Sequence, residues 1–127
     1  MELLLDARAL LWWLADDPRL GRHARAEIAK HSNSIYVSAA AAWEIATKRA
    51  IGKLEAPGRI AAWIDEEGFL ELPISVAHAV RSVELPAHHR DPFDRLMIAQ
   101  AQLEDLTLVA RDDRIDAYDV SILDASD

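Results

Sequence analysis

The sequence predicts an α/β domain, with helices covering both faces of a central parallel β-sheet in a three-layer α/β/α arrangement. Three observations carry that expectation. Short apolar runs alternate with longer stretches of helical character along the chain. The first run, Leu3-Leu4-Leu5, is continuous rather than alternating, which suits a strand buried on both faces. No internal repeat, low-complexity segment or linker interrupts the 127 residues, a length that fits one core, so residues 1–127 are read as a single domain.

The elements follow in order. After Leu3-Leu4-Leu5, residues Ala7 to Ala15 read as a helix that Asp16-Asp17-Pro18 stops. A second helix covers Leu20 to His31, with Ser32-Asn33-Ser34 as its exit. Ile35-Tyr36-Val37 is strand-like, and Ser38 is placed to cap an alanine-rich helix that runs to about Ile51 and ends at Gly52. Gly58 to Glu67 gives another helix, closed by Gly68; Phe69 to Leu72 is the third strand. Ser75 caps a helix to about Val83, and Pro86 to Arg90 form a loop. Asp91-Pro92-Phe93-Asp94 opens a strong helix to Glu104, with an acid at the cap, proline at the first helical position and an acid in the first turn. Leu106 to Val109 and Val120 to Leu123 complete the strands.

Composition narrows the function classes. No apolar run approaches the roughly 20 residues of a membrane span, and the start lacks the basic region of a signal peptide. The absence of cysteine removes disulfides and thiolate metal sites and suits a reducing cytoplasm. A formal net charge of −8 argues against a surface that binds nucleic acid broadly, so direct DNA binding by this chain is not expected. A phosphate-bearing substrate would need bound cations or a local basic rim.

Four carboxylates point to such a site. Ligands of open α/β sheets bind beyond the carboxyl ends of the strands. Asp6 directly follows the first strand, Asp112 lies just past the fourth, Glu44 sits early in the helix after the second, and Asp94 lies in the first turn of its helix. All four can face one sheet edge. Clustered carboxylates repel one another, so they take up protons or bind hard cations such as Mg²⁺ or Mn²⁺. Each acid also has an ordinary structural use. Asp6 can cap a helix, Glu44 can pair with Lys48, Asp94 can complement a helix dipole, and Asp112 and Asp113 can be turn residues.

Other features are weighed alongside. Leu10-Leu11-Trp12-Trp13-Leu14 is apolar around much of a helix, which suits a core helix or an exposed groove that anchors a partner. Arg8, Lys48, Arg90, Arg95 and Arg111 lie near the acids in sequence, and Arg8 and Arg95 are the candidates for gripping phosphate. His88-His89 lacks zinc spacing and reads as structural filler, and Gly52-Lys53 lacks the upstream glycine of a phosphate loop.

Four segments, in order and spanning nearly the whole chain, resemble the PIN-domain ribonucleases, specifically VapC-type toxins of VapBC toxin–antitoxin pairs. They are Leu3 to Leu14, Trp43-Glu44-Ile45 with Lys48 and Gly52-Lys53-Leu54, His89 to Ala101, and Leu108 to Asp112. The resemblance implies Mg²⁺- or Mn²⁺-dependent endoribonuclease activity, with Asp6, Glu44, Asp94 and Asp112 as the catalytic and metal-binding acids. It also implies an antitoxin segment docking at Leu11, Trp12 and Trp13, a homodimer, and a cytoplasmic RNA substrate. Asp91 falls in the same motif but is read as a cap. Two departures stand out: Ala7-Arg8 replaces a common Thr-His after the first acid, and Ala110 replaces a hydroxyl residue two positions before the last. Activity is expected, weakened if those hydroxyls orient a carboxylate or water. Two alternatives are a silent binding module and an aspartate-nucleophile phosphatase built on Asp6.

Overall fold

The computed structural model describes residues 1–55 and 58–127. Five strands form one parallel sheet: β1 (Glu2–Leu5), β2 (Ser34–Ser38), β3 (Leu70–Leu72), β4 (Thr107–Ala110) and β5 (Ile122–Asp124), in the order β3-β2-β1-β4-β5. β1 is central, and Leu3, Leu4 and Leu5 are each fully buried, as their continuous apolar run requires. β3 lies at an edge, where Leu70 and Glu71 reach solvent.

The helices are α1 (Ala7–Leu14), α2 (Arg22–Ala29), α3 (Ala39–Ala50), α4 (Ile60–Glu66), α5 (Val76–Glu84) and α6 (Pro92–Glu104). Their starts follow the side chains that cap them. Asp6, Ser38, Ser75 and Asp91 each accept a backbone N–H from the first turn of the helix they precede. α6 ends where Asp105 turns into the left-handed region at φ 55°.

α2 differs from its expected span and is shorter at both ends. Gly21, its cap, has no side chain to offer. The orphan donors go instead to the far end of the chain: Gly21 N–H donates to Ala125 O (2.8 Å) and His23 N–H to Asp127 O (2.7 Å). That approach is so close that a Cβ on Gly21 would sit 2.2 Å from the Asp127 carbonyl carbon. A 3₁₀ turn at Asp113–Ala117, absent from the sequence reading, carries the chain from β4 to β5. Among the described residues, no helix is long and apolar enough to cross a membrane.

The topology places the functional edge. The chain leaves β1 for β2 on one side of the sheet and later returns to β4 on the other. The carboxyl ends of β1 and β4 therefore flank a switch point, where connections diverge and open a crevice.

Candidate active site

Each acid reaches the crevice by a different route. The Asp6 backbone N–H still donates to Val109 O of β4 (3.0 Å), so its carboxylate emerges where the two strands end. Oδ1 accepts from Ala9 N–H at 2.7 Å, capping α1. Glu44 projects from α3; its Oε2 is 2.6 Å from Lys48 Nζ, while its buried Oε1 has no hydrogen-bond partner among the described residues. Asp94 lies in the first turn of α6, behind the Asp91 cap, whose Oδ1 accepts from Phe93 and Asp94 N–H at 2.9 and 3.2 Å. Asp112 follows β4, caps the 3₁₀ turn through Arg114 N–H (2.9 Å), and accepts two further bonds from the Arg114 guanidinium (3.1 and 2.9 Å). All four line one cleft of about 210 Å³, together with Arg8, Lys48, His89, Arg111 and Arg114.

The ordinary uses of these acids are thus largely realised as well. Asp6 does cap its helix and Glu44 does pair with Lys48. A cap needs only one carboxylate oxygen, so capping leaves Asp6 an oxygen for the cleft.

The expectation for His89 needs correction. It is buried, and its Nε2 lies 2.9 Å from Asp94 Oδ2 and 3.1 Å from Asp112 Oδ2. These three groups form the tightest cluster of possible ligand atoms among the described residues, all within 4.8 Å of one another. Asp6 and Glu44 line the same cleft outside that inner group. Arg114, which the sequence reading did not weigh, ion-pairs with Asp112. The signal for His89 was its position two residues before an Asp-Pro helix start; Arg114, two residues past Asp112, offered no comparable one.

Arg95 also departs from expectation. Its guanidinium donates to the carbonyls of Ser82 (3.0 Å), Leu85 (2.8 Å), Pro86 (3.0 Å) and His89 (3.0 Å), away from the cleft. With its donors spent on backbone, it fastens the Pro86–Arg90 loop rather than facing a substrate. Arg8 stays at the rim, exposed, with one N–H donating to Arg111 O (3.2 Å).

The electrostatics separate the acids. Burial, with Asp94 and Glu44 nearby, raises the Asp6 pKa from 3.8 to about 7, against the opposing Ala9 N–H and Arg8. Burial, then Asp91 and Glu44, raises Asp94 to about 6. The Arg114 hydrogen bond holds Asp112 down at about 2. The cleft therefore keeps one firmly ionised acid beside two that are poorly neutralised by protein groups. A hard divalent cation fits this donor set. It would find oxygen ligands, including a buried Glu44 Oε1 without a hydrogen-bond partner among the described residues, and its charge would favour the ionised forms of Asp6 and Asp94.

A second cavity of about 680 Å³ adjoins the cleft, and both are lined by Arg8, Glu44 and Lys48. Its apolar wall includes Leu11, Trp12, Leu14, Ile45, Leu54 and Trp63. Trp13 points elsewhere: it packs against Phe69 (6.1 Å between ring centroids) and donates Nε1–H to Glu67 (3.1 Å). Of the three expected anchors, Leu11 and Trp12 line the groove and Trp13 does not.

The family profile of the PIN domain matches residues 3–121. The chain belongs to the PIN domain family. Solved structures similar to this PIN domain include VapBC2 from Rickettsia felis bound to a promoter DNA fragment, with TM-score 0.72, 14% identity, and 97% of this chain and 98% of that chain covered. DNA-bound VapBC from Salmonella typhimurium gives TM-score 0.72 and 17% identity, covering 98% of each chain. FitAcB from Neisseria gonorrhoeae gives 0.66 and 20%, covering 97% of each. No curated protein matches this PIN domain in sequence.

Proposed function

We propose that this PIN domain is a VapC-type toxin: a Mg²⁺- or Mn²⁺-dependent endoribonuclease restrained by a VapB-type antitoxin in the cytoplasm. The observation that carries the reading is the cleft itself. Two acids with raised pKa, an ionised third and a Glu44 oxygen unpartnered among the described residues meet at the switch point of the sheet. Asp6, Glu44, Asp94 and Asp112 would hold the ion. A divalent ion there supplies an activated water and neutralises the leaving oxygen of a phosphodiester. Arg8, Arg111, Arg114 and Lys48 form the local basic rim that a chain of net charge −8 needs to approach RNA.

The similar structures from Rickettsia felis and Salmonella typhimurium are VapBC complexes, which supports an antitoxin partner. The groove at Leu11 and Trp12 is the place for it, because it is apolar and runs into the acidic cleft. Homodimerisation is assigned to α5, whose Val76, Val80 and Val83 form an exposed row (81, 54 and 81% accessible) at helical spacing.

The test is cleavage of single-stranded RNA by the purified protein with Mg²⁺ or Mn²⁺. Cutting should stop with EDTA. Asp6→Asn and Asp94→Asn should each lower the rate by about a hundredfold or more while the fold persists, the scale of losing a group that acts in the transition state. Undiminished cutting by both variants would remove these acids from the mechanism, and no cutting or metal binding would favour a silent module.

A further inference from the structure

We propose that His89 is a positioning residue of this site: its Nε2–H donates to Asp112 and lies against Asp94, holding the two acids at ligand spacing, and the ring is not itself a metal ligand. This rests on the metal-site reading for what that spacing serves.

The Asp91 backbone N–H can only donate, and it lies 3.1 Å from His89 Nδ1. Nδ1 must therefore present its lone pair, and the ring proton sits on Nε2. Nε2–H donates to Asp112 Oδ2 at 3.1 Å, and Asp94 Oδ2 lies 2.9 Å from the same nitrogen, so one N–H group is set against two acids from different elements. It links the first turn of α6 to the loop after β4. Without a cation, the positive end of that N–H offsets part of the repulsion that would drive the two carboxylates apart.

The ring has little freedom to do otherwise. It is 2% exposed, its own backbone N–H donates to Tyr118 Oη (2.9 Å), and that hydroxyl donates to Pro86 O (2.6 Å). For Nε2 to bind a metal, its proton would have to leave. Retaining a neutral ring would then put the proton on Nδ1, directly against Asp91 N–H, opening the start of α6. The ligands that remain are oxygens, which suit Mg²⁺ and Mn²⁺, whereas an imidazole ligand would suit Zn²⁺.

His78 provides an internal comparison. Its Nδ1 accepts Ser75 N–H (3.0 Å) at the start of α5, and its Nε2 faces Glu104 Oε1 (2.9 Å). The device is the same, a ring locked by a helix start, but His78 serves one exposed acid. At His89 it joins the two acids of the cleft.

Two variants and one spectroscopic measurement test the idea. Histidine-selective ¹⁵N–¹H NMR of the wild-type protein should show His89 protonated on Nε2, unchanged on adding Mg²⁺. His89→Phe, which keeps the volume and removes the donor, should weaken Mn²⁺ binding measured by EPR by about 10–100-fold. His89→Gln, which returns an N–H near the Nε2 position, should bind Mn²⁺ close to the wild-type value. A proton on Nδ1, loss of the Nε2 proton with Mg²⁺, wild-type affinity in His89→Phe, or a His89→Gln variant as weak as His89→Phe would each overturn the proposal. Should His89→Phe not fold, the ring spectrum and the Gln variant decide. A wild-type protein that binds neither ion overturns the metal-site reading and this role with it. That outcome differs from failure of the inference alone, in which the wild type still binds.

Discussion

Asp6, Asp94 and Asp112 are chemically similar side chains within one cleft, yet their surroundings set them apart. Asp112 meets the Arg114 guanidinium, whereas Asp6 is buried and both Asp6 and Asp94 face other acids. The consequence for stability has a definite sign. Asp6 is raised from 3.8 to about 7 and Asp94 from 3.8 to about 6, so the metal-free native state binds more protons than the unfolded chain over that range. Their contribution is fully present below pH 3.8 and is lost as pH rises through about 6 and 7. Asp112 and Asp17, both lowered to about 2, contribute oppositely and only in stronger acid. The metal-free protein should therefore melt at progressively lower temperature between about pH 4 and 7. Added Mg²⁺ should raise the midpoint more at pH 7.5 than at pH 5. Scanning calorimetry across that range checks both, and a Mg²⁺ effect independent of pH would contradict the electrostatic account of the cleft.

At the scale of elements, the loop between α5 and α6 is held by one side chain. Arg95 donates to the carbonyls of Ser82, Leu85, Pro86 and His89, joining the end of α5 to the residues that precede α6. It thereby fixes the backbone that carries His89. Arg95→Ala would leave several part-buried carbonyls without their donor, and a loss of about 2–4 kcal/mol is expected by urea unfolding. Arg8→Ala, at the exposed rim, should leave stability nearly unchanged and weaken RNA binding instead. If Arg95→Ala unfolded like the wild type while losing RNA affinity, Arg95 would be a substrate contact after all. The helix starts were legible in the sequence because Asp6, Ser38, Ser75 and Asp91 act on their immediate neighbours. The start of α2 was not, because its donors are satisfied by Ala125 and Asp127, about a hundred positions along the chain.

For the whole molecule, the negative charge and the apolar surfaces act together. A net charge of −8 repels phosphate at long range, so RNA affinity should rest on the rim and on the divalent ion. In the homodimer proposed above, the exposed valines of α5 would let two copies meet without covering the cleft, since neither the cleft nor the groove is lined by Val76, Val80 or Val83. Val80→Glu should shift the protein to monomer in sedimentation velocity and leave divalent-ion binding intact. A dimer that survives this change would place the interface on another face.

The sequence by itself determined the parallel α/β architecture, the capped helix starts and the placement of four acids at strand ends or helix starts. These features depend on local periodicity and on residues that act within a turn of themselves. Tertiary structure alone decided what those acids became. It brought β1 beside β4, set Asp94 and Asp112 against one imidazole, turned Arg95 inward to backbone carbonyls, and left Glu44 Oε1 buried without a partner among the described residues. Such outcomes depend on burial and on partners far apart in the chain, and a residue's type says nothing about which distant group will face it.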